Sequence, residues 1–315
     1  MHLGFLTKSE RNAAQEAAHA LAESTMLRLQ PTVMTSHVAG QVKLLLTDCW
    51  KAPEVVADVG FVFPRFRQLT GSCVGAGGGQ AVFTLGAVQR RLDESPTKAF
   101  IPFWPFDYGL CRYEGGMRGP GEGAMGSAFA DSVLNDGILD AATEGLPAFT
   151  NDDGLILTSR IELQWSDGIK IGQNWKDMAK VHPVGGVAIC RNPQDIRAAI
   201  LNGYPVTFAC NNYIGSASVQ GSGENAAVCG YWDNRGGHQE SVHGYWDNPQ
   251  LGPLYWVQNN WDGSTYPTDP GGGPVCGCWV TEAHVQRAFA LDAEVYAFSH
   301  LAWFPAQPAI LDWFT

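Results

Sequence analysis

The sequence predicts an α+β fold, with helices gathered in its first half and antiparallel strands in its second. Three features carry this. Apolar residues recur at helical spacing after Ser9 and again after Cys73, whereas from Ala226 onward short apolar and aromatic runs alternate with Gly, Asn and Asp. The composition excludes a coiled coil or helical bundle: 315 residues hold 37 Gly, 18 Pro and 11 Trp, and only 16% are charged. A hydrophobic content of 45% is enough to bury a real core and rules out a disordered chain.

In chain order, Ser9 to Leu29 is rich in Ala, Glu, Gln and Leu without Gly or Pro, and predicts a helix. Its Ala-rich face suits either the body of the protein or another subunit. Residues 30 to 66 mix β-branched residues with Pro31, Pro53 and Pro64 and predict an extended arm. A second helix is expected to start at Cys73 after the Gly71-Ser72 turn. Glycines 77 to 79 cost that helix roughly 1 kcal/mol each relative to Ala, which implies the close approach of another backbone. Residues 105 to 126 show little periodicity. A short helix follows from Ser127 to Asn135, stopped by Asp136-Gly137. Pro193 to Leu201 reads as a helix with Pro in its first turn, and Pro205 to Cys210 as a strand. The runs AVCGYW, SVHGYW, LYWVQ and CGCWV read as strands of one antiparallel sheet. GYWDN occurs at 230–234 and 244–248, two strand ends meeting similar turns, not a repeat architecture. The expected organisation is an N-terminal helical arm over 1–50, a helical lobe over 51–150 and a β-rich lobe over 151–315.

Acidic residues outnumber basic ones 31 to 20, for a net charge of −11, and no segment supplies the Lys and Arg surplus of a nucleic-acid face. No run reaches the roughly 18 apolar residues of a membrane span, and the opening MHLGFLTKSERN is too short in apolar residues for a secretory signal. The expected setting is cytoplasmic or virion-associated. The eight cysteines, 49, 73, 111, 190, 210, 229, 276 and 278, are too sparse for a disulfide scaffold and read as buried thiols of a reducing compartment.

Cys73 is the most informative of them. A thiol at a helix N-terminus faces unpaired N–H groups and the positive end of the dipole, which favour thiolate and lower its pKa. A thiolate nucleophile needs a proton carrier, and GGHQESVHGYW offers His238 and His243. Five residues apart on a strand, they point to opposite faces, so at most one faces a cleft. Asn259 and Asn260 stand beside Trp261, and an amide oxygen can orient an imidazole without adding charge. Cys276-Gly-Cys278 with Cys229 or a histidine makes a poor zinc set, and no metal or organic cofactor is expected.

Together these segments resemble the papain-like cysteine peptidases. RQLTGSCVGAG is similar to their nucleophile segment, HQESVHGYW to their histidine strand in a register that selects His238, and YWVQNNWDG to their Asn-Ser-Trp-Gly segment. EGAMGSAFADSVLNDGIL and PQDIRAAILNGYPVTFAC resemble the helix and the helix–strand unit between them, so the resemblance spans roughly residues 60 to 290. It implies a two-lobed papain-like fold with an extra N-terminal helix and a peptide or protein substrate. It further implies Cys73 as nucleophile, His238 as proton carrier, Asn259 as its orienter, Gln68 as an oxyanion donor, Trp261 as the indole shielding the Asn–His bond, and Gly71 and Ser72 along the cleft. Gln68 stands five residues before the cysteine, where the family's Gln stands six before; Val74 and Asp262 replace the usual aromatic residue and Gly. Two other readings stay open: a catalytically silent papain-like module in a virion or other assembly, joined through the N-terminal helix, and a Cys-dependent amidase or transferase.

Overall fold

The structure is a computed structural model, described for residues 4–28, 42–60, 62, 66–92, 97–117, 119, 121–147, 158–167, 171–232, 236–261 and 266–301. Helix α1 runs from Ala13 to Thr25, shorter than the sequence predicts, because Asn12 starts it with a reciprocal capping box to Gln15 and Met26 is already extended. Strand β1 (Leu27–Arg28) follows directly. Most of the expected arm, residues 29–41, lies outside the described residues. Beyond it the chain is not simply extended: β2 (Lys43–Leu45) leads into a 3-10 turn, Leu46–Lys51, and a helix α2 (Pro53–Val59). Pro53 occupies the first turn of α2, where its missing N–H costs nothing, and Gly60 closes the helix in a left-handed conformation.

Helix α3 (Cys73–Leu92) starts at the predicted residue. Its glycines answer the expected close approach. A Cβ on Gly77 would stand 2.9 Å from the carbonyl oxygen of Gln239, and one on Gly78 would strike the Phe129 ring. A helix α4 (Trp104–Glu114) occupies part of the stretch that shows little periodicity; all its residues from Trp104 to Arg112 are buried, so no polar face marks it in the sequence. Then come α5 (Gly126–Asn135), α6 (Ser159–Ser166) and α7 (Gln173–Ala179), so helices continue well past residue 150.

The remainder is β3 (Val184–Ile189), α8 (Pro193–Leu201), β4 (Val206–Cys210), β5 (Ile214–Gln220), β6 (Ala227–Trp232), β7 (His238–Asn248), β8 (Gly252–Gln258), β9 (Gly277–Thr281), α9 (Glu282–Phe289) and β10 (Glu294–Leu301). Ten strands form one sheet in the order β1-β3-β10-β4-β7-β8-β9-β6-β5, with β2 also on β7. All pairs are antiparallel except β1 with β3 and β6 with β9. Helix α3 packs on β7, β10 and β4, and α1 packs on α5 with Ala22 buried and Ala18 half-buried, whereas Ala13, Ala14, Ala17, Ala20 and Leu21 remain exposed. The main core joins Trp50, Phe83 and Trp104 from the helical side to Phe208, Tyr245 and Tyr255 of the sheet. No described helix is long and apolar enough to cross a membrane.

Candidate active site

The site lies where the N-terminus of α3 meets the first residues of β7. Ser72 precedes the helix, and its carbonyl accepts the N–H of Ala76 at 3.0 Å. The backbone N–H of Gln239 donates to the Cys73 sulfur at 3.3 Å, so the residue after His238 touches the thiol. Asn260 ties the same junction from the next strand end: its Nδ2 donates to the carbonyls of Cys73 (3.2 Å) and Gln239 (3.0 Å). The glycine at 77 lets β7 come this close.

Asn259 and His238 form the second half of the site, with Nε2 of the imidazole 3.0 Å from the Asn259 amide oxygen. The direction of that bond follows from its surroundings. Tyr266 donates its single hydroxyl proton to the Ile214 carbonyl at 2.6 Å, so it can only accept from Asn259 Nδ2, 2.7 Å away. The amide oxygen therefore faces the ring, where it also accepts the Asn260 N–H at 2.7 Å. Nε2 must donate, which leaves the lone pair of the neutral imidazole on Nδ1. Gln80 of α3 holds the backbone here, donating to the Asn259 carbonyl at 3.2 Å and accepting from Ser241 Oγ at 2.8 Å. The Trp261 ring lies 4.8 Å from the His238 ring at 30°, with Tyr213 edge-on to both. The indole thus lies against the imidazole ring.

The other sequence-predicted residues sit in the loop before α3. One N–H of the Gln68 side chain goes to Thr70 O of its own loop at 2.9 Å, and its backbone N–H goes to Asn260 O at 2.9 Å. The Gly71 carbonyl accepts from Tyr108 Oη at 2.8 Å. Ser72 Oγ is buried and donates to Glu162 at 3.0 Å, which turns its hydroxyl toward the protein interior. Glu162, from α6, also accepts from Thr70 Oγ1 at 2.8 Å and from the Leu69 N–H, so one buried carboxylate pins the loop at three successive points. Burial raises its pKa against those hydrogen bonds. His243 faces away: it bonds Ser241 Oγ at 2.6 Å and meets the edge of Trp50, and burial lowers its pKa to about 3.

The expectation of a low-pKa thiol is overturned for this form of the chain. Cys73 is 0% exposed, and loss of solvent pushes its pKa up more than the Gln239 N–H brings it down. The cover is the N-terminal segment. Phe5 forms a parallel bridge with Ala124, through Leu6 N–H to Ala124 O (2.8 Å) and Ala124 N–H to Gly4 O (2.7 Å), and its own N–H goes to Gly237 O at 3.3 Å. Gly4 lies against the Gly71 carbonyl, and the Phe5 side chain shares a buried cluster with Cys73 and Val74. The segment crosses from the nucleophile loop to the residue before His238.

Sequence reasoning named Cys73, His238, Asn259 and Trp261, and the structure brings all four to this junction. It missed Tyr266, Gln80, Glu162 and the cover. Tyr266 and Gln80 act on Asn259 from elements far apart in the chain, and nothing local in GGQAV or STYP signals that. All eight cysteines are free and buried, and among the described residues no three His, Cys, Asp or Glu side chains cluster as a metal would require.

Solved structures show the same architecture. Xylellain, a cysteine protease from Xylella fastidiosa, matches at 16% identity and a TM-score of 0.58 over 87% of this chain and 91% of its own. Procathepsin B S9 from Trypanosoma congolense matches at 9% identity and 0.54, over 92% and 89%. The chain has the papain-like fold. Digestive procathepsin L 3 of Tenebrio molitor larval midgut shares it at 13% identity and 0.51, over 90% and 79%. No protein-family model matches the sequence, and a search of curated proteins finds no match. At these identities the papain-like fold holds across a nearly complete change of side chains, including the mixed α and β elements that frame the cleft.

Proposed function

We propose that the chain is a cysteine peptidase in which Cys73 is the nucleophile, His238 the proton carrier and Asn259 the orienter. The observation that carries this is the locked imidazole: Asn259, itself fixed by Tyr266, puts the donor on Nε2 and the basic lone pair on Nδ1 of the residue adjoining the Gln239–sulfur contact. In the reaction the thiol proton passes to His238 as sulfur bonds to the scissile carbonyl carbon, whose π pair moves onto oxygen. The oxyanion would be held by the Cys73 N–H and by Gln68 once its amide leaves Thr70. His238 then protonates the leaving amine as the C–N bond breaks, and water releases the acid from the thioester. The papain-like neighbours are proteases, two of them described as proforms, which accords with a cleft crossed by N-terminal residues.

A second reading, a silent papain-like module, is favoured by one observation: the sulfur is enclosed and its pKa raised. Both readings are tested by an epoxide thiol probe with mass mapping, followed by cleavage of a peptide library. The peptidase reading expects selective labelling of Cys73, its loss in His238→Ala, and cleavage absent from Cys73→Ala. Uniform labelling of several cysteines with no cleavage would leave only the module.

A further inference from the structure

A cavity of about 870 Å³ opens on the helical side of the molecule, away from the cleft. That volume falls within the roughly 300–1,000 Å³ of sites that enclose a small organic molecule. Asp58 of α2 forms part of its wall, where its Oδ2 pairs with Arg90 Nε at 2.8 Å and accepts the Ala99 N–H at 3.0 Å. Arg90 stands in the last turn of α3, at the opposite end of that helix from Cys73 and about 25 Å along its axis. No residue of the start of α3, of β7 or of the Asn259–Trp261 segment lines the cavity.

The lining is amphipathic. Val59, Phe100, Ile101 and Leu146 supply apolar surface, and the His182 imidazole lies 4.8 Å from the Phe100 ring. Arg90 cancels the charge of Asp58, and burial lowers the pKa of His182, so that ring is neutral at pH 7. What remains is the pair of carboxylates on Asp140 and Glu144 against the ammonium of Lys98, a surplus of one negative charge. Lys98 and Glu144 are exposed and belong to the mouth, whereas Asp140 is half-buried. Its backbone is fixed by the bridge to Pro102, and its Oδ1 accepts the Ala142 N–H at 2.8 Å, which shapes the turn that leads to Leu146. Burial raises the pKa of Asp140 more than that N–H and His182 lower it, so the carboxylate is short of positive charge.

We infer that this cavity binds a small organic monocation, a primary amine on an aromatic or aliphatic body, with Asp140 accepting from the ammonium and Phe100 and Leu146 packed on the body. An anion would meet the surplus carboxylate, and a neutral apolar guest would deprive Asp140 of water without replacing it. A bare metal ion is disfavoured too, because among the described residues no three His, Cys, Asp or Glu side chains cluster to hold one. An ammonium gives Asp140 a charge-assisted hydrogen bond while its body covers the apolar wall. The inference goes beyond the peptidase reading and stands apart from it, since no group of this cavity takes part in the reaction at Cys73.

The test is titration of the full chain at pH 7 with tryptamine and with tryptophol, its neutral alcohol counterpart, followed by NMR. Tryptamine is expected to bind at least about tenfold more tightly, the difference that a hydrogen bond to a charged group makes. Asp140→Asn keeps an acceptor for the Ala142 N–H and removes the charge, and it should bring the two ligands level. Equal binding of both in the parent chain, binding of neither, or a preference that survives Asp140→Asn would overturn the site. Should the Asn variant fail to fold, nuclear Overhauser contacts between the bound indole and the Leu146 methyls of the parent chain decide instead, and their absence would overturn it. Loss of this site would leave the peptidase reading intact, and a chain that cleaves nothing would still be expected to bind the amine.

Discussion

The proton on His238 is placed by a hydroxyl that never touches it. Tyr266 fixes the Asn259 amide, so Tyr266→Phe frees that amide to rotate and present Nδ2 to the ring. The imidazolium then loses its acceptor, and kcat is expected to fall about tenfold with KM unchanged. The basic limb of the pH–rate profile should also move to lower pH, which a merely structural defect would not cause. His243 makes the opposite case, a histidine whose burial matters for stability alone. Its pKa is lowered to about 3 in the folded chain, so between that value and the ordinary 6.5 the unfolded chain binds one more proton. Its contribution to stability is therefore complete above pH 6.5 and is lost as pH falls, by about 1.4 kcal/mol per unit. Urea unfolding of His243→Gln across pH 4.5 to 7 should show a slope shallower by one proton. That only one of the two histidines faces the cleft was legible from strand alternation; what surrounds each was not, because Trp50, Tyr213 and Tyr266 arrive from remote segments.

At the level of elements, α3 and β7 make the site by touching, and glycine at 77 is the condition. Gly77→Ala gains about 1 kcal/mol of helix propensity, but its methyl meets the Gln239 carbonyl, an overpacking worth 1–3 kcal/mol. The expected net loss is about 1 kcal/mol in denaturant unfolding, with a larger fall in kcat as β7 is pushed off the sulfur. The N-terminal cover depends on Phe5. Phe5→Asp removes its burial, a change of several kcal/mol in a segment otherwise held by backbone bonds and by the Arg11 guanidinium, which donates to Leu6 O, so iodoacetamide should label Cys73 at least about tenfold faster. An unchanged labelling rate would mean that the cover does not limit access. The start of α3, the extent of α8 and the strands from 227 on were legible because caps, prolines and alternation are local signals. Helix α4 was not, since it is buried on all sides, and the hold of residues 4–7 on the cleft was not, since its bonds are to Ala124 and Gly237 far along the chain.

For the whole molecule, the net charge of −11 draws basic peptides toward the surface before any contact is made. Turnover of a peptide carrying several Lys and Arg, read as kcat/KM, should fall as salt rises from 20 to 500 mM, while that of an uncharged peptide changes little. The α+β class was legible from composition and from the change in period along the chain. The sheet order was not, because β10 enters between β3 and β4, an arrangement that no neighbouring residue announces. That insertion bears on how the protein is made. During synthesis β3 and β4 have no strand to join them until residues 294–301 have cleared the ribosome. A growing chain thus carries its sulfur and imidazole before its sheet is closed, and residues 4–7, which precede both in the sequence, are already there to cover them.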